Sequence, residues 1–457
     1  MSRIILCADI GTSSLKAALI DGEGRRRAFA REAYPRNGNP PRASAGDWED
    51  ALRRALDRLF SQEPGLKPGA LCISGNGPTL VPVTGDGTVL EPLHWHERRE
   101  TGPSPPLGPP PVSKPRSLFL SHAAWFLKER PRDYERTRCF FSSQEWLSHR
   151  LGGAPVTVLP AAAYGPYYWD EDQCRALGLD PAKFPPFARL GDLIGRVSAT
   201  AARRFSLPQG VPIAAGGPDF IMALIGLGAL EPGIVCDRAG TSEGLNVCCA
   251  APPAAGELRV LPHVVEGLWN AGALIPASGV LFEWFRALTG QEGRDYESMM
   301  EEIVRSPGDS LFFPAPGHAP GLFMLPRSAG RAGFGRAVVE AIGFQVRAAL
   351  ETLARYGFPV REMRLSGGQA RNPLWNQLKA DMSGCTLLVP EIIDGELAGD
   401  AALALMALGD AENLAAASSR VFRVRERVIP NPGAVPAYEE RFRAYREFRE
   451  KFRDLLD

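Results

Sequence analysis

At 457 residues, with 45% hydrophobic and 23% charged side chains, the chain is too long for one core and reads as two domains of a globular protein. Basic and acidic residues balance at 52 each, so net charge is zero and nothing supports a nucleic-acid or membrane-surface partner. The apolar run before Asp9 is too short for a signal peptide or a spanning helix, and no later segment is uniformly apolar over a membrane-crossing length. Eight cysteines without a CxxC pair read as buried thiols of a reducing cytoplasm.

In chain order, residues 4–10 read as a buried strand, Gly11-Thr12-Ser13-Ser14 as a turn, and residues 16–20 as the return strand. Asp47 is placed to cap a helix reaching about Gln62, with Trp48, Leu52, Leu56, Leu59 and Phe60 on one face. Residues 70–74 give another short strand, and the mixture points to an α/β architecture. His94 and His96, the only close histidine pair, read as polar surface of a strand. The proline-rich residues 102–116 are expected as an extended loop or arm. An apolar strand then runs into Gly216-Gly217-Pro218-Asp219 and an apolar helix. Beyond a turn at Glu231-Pro232-Gly233, Cys236-Asp237-Arg238-Ala239-Gly240-Thr241-Ser242 echoes the opening of the chain. The echo predicts a duplicated core with a cleft between the halves and a boundary near residue 232, giving domains 1–232 and 233–457.

The second half continues with a long amphipathic helix over 336–356 and a strand over 362–365 ending in Ser366-Gly367-Gly368. A helix over 372–383, a strand over 387–390 and an alanine-rich helix over 396–408 follow. The tail carries Tyr438, Phe442, Tyr445, Phe448 and Phe452 as a packing face, for its own chain or for a neighbour in a homodimer.

Three clusters bear on chemistry. Each Gly-Thr-Ser turn exposes backbone N–H groups and hydroxyls suited to phosphate oxygens. Asp9 places a carboxylate beside the first turn, where it can hold Mg2+, and Lys16 is either a phosphate counter-charge or a solvated strand residue. Asp219 stands at the start of an apolar helix, as a cap or as a general base in a cleft; spacing alone favours the cap. Gly367 and Gly368 end a strand just before a helix, where the missing side chains admit a nucleotide. Asn372 and Asn376 either bond the base or cap the helix.

Two phosphate turns, an acid before the second and a later Gly-Gly loop occur in this order in the FGGY carbohydrate kinases. The chain resembles that family from Ile4 to about Leu408, most specifically over residues 210–244 and 365–404. The resemblance implies two ribonuclease H-like domains of the actin/hexokinase/Hsp70 superfamily, closing around ATP and Mg2+. By the same resemblance Asp219 is the catalytic base and also meets the substrate, and Asp9 lies near the metal. Gly11, Thr12, Ser13 and Lys16 belong to the first phosphate site, and Gly240, Thr241 and Ser242 to the second. Gly367, Gly368 and Asn372 fall at the adenosine. Gly75-Asn76-Gly77-Pro78-Thr79 stands where xylulokinases carry Gly-Gln-Met-His-Gly, so the acceptor site departs from the pattern. Asn76, Thr79, Trp95, His96 and Arg99 are the candidate acceptor contacts. The expected reaction is phosphorylation of a primary hydroxyl of a small sugar, sugar acid or polyol in the cytoplasm, by a xylulokinase-like enzyme. The alternatives are a glycerol or tetritol kinase, or a non-catalytic nucleotide-binding sensor of the same fold.

Overall fold

The structure, a computed structural model, describes residues 3–35, 42–97, 117, 119–240, 242–254, 256–275, 278–314, 321–324, 326 and 328–452. Arg99, Thr241 and the proline-rich residues 102–116 lie outside the described residues. The chain divides into two compact units. The first is Met1–Leu230 with Pro262–Leu268 and Asp394–Arg423, and the second is Glu231–Leu261 with Trp269–Ile393 and Val424–Asp457.

The first unit is built on β1 (Ile4–Ile10), β2 (Ser14–Asp21), β3 (Arg26–Ala33), β4 (Ala70–Gly75), β5 (Leu193–Arg196) and β6 (Pro212–Ala214). Their order in the sheet is β3-β2-β1-β4-β6-β5. Every residue of β1 is buried, which is why its sequence, Asp9 apart, is apolar instead of alternating. β1 runs antiparallel to β2 and parallel to β4, and this register sets Lys16 and Ser74 beside Asp9 on the two neighbouring strands.

The second unit repeats the plan with β7 (Val235–Ala239), β8 (Glu243–Cys249), β9 (Arg259–Pro262), β10 (Trp269–Ile275), β11 (Glu362–Ser366), β12 (Thr386–Pro390) and β13 (Val424–Val428). The order is β9-β10-β8-β7-β11-β12-β13. Apart from the edge strand β9, order and direction match strand for strand. β7 is antiparallel to β8 and parallel to β11, as β1 is to β2 and β4, and each sheet closes with an antiparallel edge. The fold is therefore α/β with two ribonuclease H-like units: the paired turns predicted the duplication, and the family resemblance implied the architecture.

Two segments go against the division drawn near residue 232, Pro262–Leu268 and the longer Asp394–Arg423. Helix Gly395–Ala407 packs in the first unit, against helix Asp219–Gly226. Eleven consecutive residues of that helix, from Gly395 to Leu405, are buried, and a helix without a polar face has to be enclosed wherever the chain can enclose it. The two helices meet backbone to backbone. A Cβ at Gly399 would lie 2.1 Å from the Met222 carbonyl oxygen, and one at Gly226 would lie 2.0 Å from that of Gly395. Gly399→Ala is therefore expected to destabilise the first unit by about 1–3 kcal/mol, because overpacking outweighs the gain in helix propensity. Urea unfolding checks this, and a stabilised variant would contradict the close-contact account.

Three local expectations are corrected. Helix Ala45–Gln62 is capped by Ser44, not Asp47: Asp47 N–H donates to Ser44 Oγ at 3.2 Å while Ser44 N–H donates to Asp47 Oδ2 at 2.8 Å, a reciprocal capping box. His94 is not polar surface. It is buried in a turn after Leu93, stacked on His96 at 5.4 Å and edge-on to Trp48 at 6.2 Å, and burial pushes its pKa down to about 4. The long helix of the second half begins earlier, spanning Arg331–Arg355. The tail helix Val435–Lys451 buries Tyr438, Phe442 and Tyr445 within its own unit, with Tyr445 stacked on Phe313 at 4.9 Å. Seven of the eight cysteines are buried and all are unbridged. Among the described residues, no helix is long and apolar enough to cross a membrane.

Candidate active site

In the first unit the ends of β1, β4 and β6 converge. Asn76 N–H donates to Ile10 O at 2.9 Å, and Gly75 N–H donates to Gly217 O at 3.3 Å, which brings the turn after β1 and the Gly216-Gly217-Pro218 segment to either side of β4. Asp9, only 2% exposed, lies at the centre. Lys16 Nζ is 3.5 Å from Asp9 Oδ2, 3.4 Å from Asp394 Oδ1 and 3.7 Å from Glu396 Oε2. Ser74 Oγ lies 3.3 Å from Asp9 Oδ1 and donates to Asp400 Oδ2 at 3.1 Å.

Charge explains the titration of this cluster. Burial pushes the Asp9 carboxyl up to about 7; Lys16 pulls it down, while the charges of Glu396, Asp219 and Asp394 push it up again. Burial works against the Lys16 ammonium, but Glu396, Asp394 and Asp9 outweigh it and hold the lysine protonated. Asp400 is driven far above the carboxylate range by burial and then by Asp9. Asp219 is the first residue of helix Asp219–Gly226, half-buried, with Oδ1 accepting from Phe220 N–H at 2.6 Å. Pro218 occupies the cap position, so the acid belongs to the first turn, where a helix favours negative charge.

The first Gly-Thr-Ser turn closes with Gly11 N–H donating to Ser14 O at 3.1 Å, and Ser13 is exposed. Trp95, 46% exposed, donates from Nε1 to Thr12 Oγ1 at 3.3 Å, so an aromatic ring stands directly beside that turn. Asn76 is held by Ile10 on one side and by Thr79 on the other, whose Oγ1 donates to Asn76 Oδ1 at 3.2 Å. Thr79 itself has no exposed surface, so it acts on Asn76 instead of on a ligand. His96 is turned onto His94.

In the second unit Gly240 N–H donates to Ser242 O at 2.9 Å, reproducing the tight turn with Gly240 and Ser242 exposed. Gly367 takes φ +97° and a Cβ there would lie 2.1 Å from Ala239 O, so only glycine lets the loop after β11 touch the end of β7. Gly368 is exposed with open space where a side chain would begin. Asn372 caps helix Pro373–Ser383, accepting from Trp375 N–H at 2.9 Å, and Asn376 is buried and donates to Ala370 O at 3.0 Å. The first side chain thus caps the helix, and the second ties it back to the turn Gly368–Arg371.

Sequence reasoning missed Asp394, Glu396 and Asp400 as companions of Asp9. The available signal was two acids one helical turn apart, Glu396 and Asp400, on an otherwise apolar alanine-rich helix. It also missed Lys379, whose Nζ lies 2.6 Å from both Asp237 Oδ2 and Glu243 Oε1.

Residues 118–226 match the N-terminal domain of the FGGY family of carbohydrate kinases, and residues 238–408 match its C-terminal domain. An autoinducer-2 kinase of Salmonella paratyphi B is 23% identical, covering 98% of this chain and 93% of its own. A glycerol kinase of Aromatoleum aromaticum is 27% identical over 89% of this chain and 90% of its own. Among solved structures, the ligand-bound xylulose kinase of Lactobacillus acidophilus superposes with a TM-score of 0.80 at 19% identity, covering 98% of each chain.

Proposed function

The chain belongs to the FGGY family of carbohydrate kinases and is a phosphotransferase, and from that premise we propose that it moves the ATP γ-phosphoryl group onto a primary hydroxyl of a small sugar, sugar acid or polyol. The observation that carries this reading is the placement of Asp219 at a helix start, close enough to Asp9 to raise its pKa. Asp219 orients the acceptor hydroxyl and takes its proton as the new O–P bond forms and ADP leaves. A helix start favours negative charge at Asp219, and a weak base suffices, because phosphoryl transfer depends mainly on positioning and charge neutralisation. Trp95 and Asn76, anchored to the first turn, are the proposed acceptor contacts, with His96 and Arg99 beside them in sequence.

The residues present fit both cofactors. Among the described residues no three His, Cys, Asp or Glu side chains are arranged to hold a metal by themselves. Mg2+ needs no such cage, since it keeps several waters and binds through one or two carboxylates plus phosphates. Asp9 suits that role. Beside it Lys16 faces three carboxylates, Asp9, Asp394 and Glu396, and Glu396 Oε2 and Asp400 Oδ1 are buried without a hydrogen-bond partner. Gly367 and Gly368 would admit the adenosine, while the two turns offer N–H groups to phosphate oxygens. Bound together, ATP and Mg2+ would supply the phosphoryl group and neutralise its charge.

The test is ADP release by the purified protein with a panel of pentuloses, hexuloses, aldonates, glycerol and tetritols, and autoinducer-2. A xylulokinase-like acceptor among ketoses and sugar acids is expected to stimulate release strongly over the acceptor-free rate. Stimulation by glycerol or a tetritol alone would reassign the acceptor. No stimulation by any compound would replace the kinase reading with a nucleotide-binding sensor.

A further inference from the structure

The second unit holds a connected chain of polar side chains that the transfer step does not use. Lys379 Nζ donates at 2.6 Å to both Asp237 Oδ2 and Glu243 Oε1. Glu243 Oε2 accepts from Ser278 Oγ at 2.5 Å, Ser278 Oγ accepts from Gln369 Nε2 at 2.6 Å, and Gln369 Oε1 accepts from Trp375 Nε1 at 2.8 Å. Lys379, Asp237, Glu243 and Ser278 are at most 2% exposed.

The positions of these groups are what matters. Asp237 is the middle residue of β7, three positions before Gly240, and Glu243 begins the return strand directly after Ser242. Ser278 precedes helix Gly279–Leu288, whose first N–H donates to Gly240 O at 3.2 Å. Gln369 follows Gly367-Gly368, and Lys379 and Trp375 lie on the helix that this loop leads into. Two loops assigned to one nucleotide are thereby tied together through four separate stretches of chain.

Stability alone does not account for such a choice. Taking two carboxylates and an ammonium out of water is costly, and a well-packed apolar trio would join sheet to helix as firmly. What the ions add is a single geometry, since one Nζ must meet two oxygens on opposite strands and a hydroxyl must serve both a carboxylate and an amide.

Resting on the kinase reading above, we infer that Lys379, Ser278 and Gln369 are positioning residues for ATP. They fix the second phosphate turn against the Gly367-Gly368 loop without touching the nucleotide. Lys379 acts through Asp237 and Glu243 on the turn, and Gln369 acts through Ser278 on the same turn from the loop side.

The test compares Gln369→Leu and Ser278→Ala with the wild-type protein in steady-state kinetics and thermal unfolding. Each variant is expected to raise KM for ATP about three- to tenfold, the loss of one buried hydrogen bond expressed as affinity. KM for the acceptor stays unchanged, and the unfolding midpoint falls only by what the lost buried hydrogen bonds cost, leaving the protein folded at the assay temperature. A merely structural role would lower kcat through loss of folded protein and leave both KM values in place. That pattern, an unchanged KM for ATP, or an equal rise in both KM values overturns the inference while the kinase reading stands. Should Ser278→Ala fail to fold, Gln369→Leu, at a half-buried position, still decides the matter. A wild-type protein that neither binds ATP nor releases ADP with any acceptor overturns both readings together.

Discussion

Asp219→Asn is expected to lower kcat by about 10²- to 10⁴-fold, the range that a positioned general base supplies, while ATP affinity stays close to that of the wild type. The amide keeps the shape of the carboxylate but cannot take the hydroxyl proton. Asp219 is half-buried at the first turn of its helix, so losing its charge there costs only about 0.3–1 kcal/mol of helix-dipole stabilisation. A large fall in turnover with a small change in unfolding midpoint is therefore the signature of the base. Single-turnover kinetics with ATP in excess separates the chemical step from binding. Undiminished transfer by this variant would remove Asp219 from the mechanism and leave it a first-turn acid of its helix.

Lys16→Met is expected to cost about 3–5 kcal/mol, because it strips the cation from three largely buried carboxylates, Asp9, Asp394 and Glu396. The thioether roughly matches the lysine stem, so packing changes little and the loss is electrostatic. Its sign with pH follows from the same charges. Asp9 already titrates near 7 in the folded state, far above an unfolded aspartate, and removing Lys16 pushes the cluster further up. The folded variant then binds more protons than the unfolded chain, so its stability rises as pH falls through about 7. Urea unfolding across that range reads the slope directly, and adding Glu396→Gln should recover part of the loss. A variant as stable as the parent, with a flat pH dependence, would show that the cluster is open enough for water to screen it.

The elements that local chemistry controls were legible in one dimension. A run apolar but for Asp9 gave β1, the Gly-Thr-Ser turns gave the two hairpins, and the paired glycines at 367 and 368 marked the strand-to-loop junction. Because those turns repeat with matching flanks, the duplicated core was legible too, and the sheet orders carry it. Asp9 and Asp219 stood out since an acid at the end of an apolar strand or the start of an apolar helix is conspicuous in one dimension.

Which charges meet is a matter of packing between distant segments. Asp400 reaches Ser74 from 326 positions away, and Lys379 reaches Asp237 from 142. Neither helix carries in its own pattern any sign of the strand it will face; sheet register and the glycine-lined contact of two helices set those meetings. The same cause moved residues 394–423 into the first unit and buried His94 against Trp48. Periodicity and turn chemistry act over a few residues. The partner of a buried ion is chosen by packing, which operates across the whole chain at once.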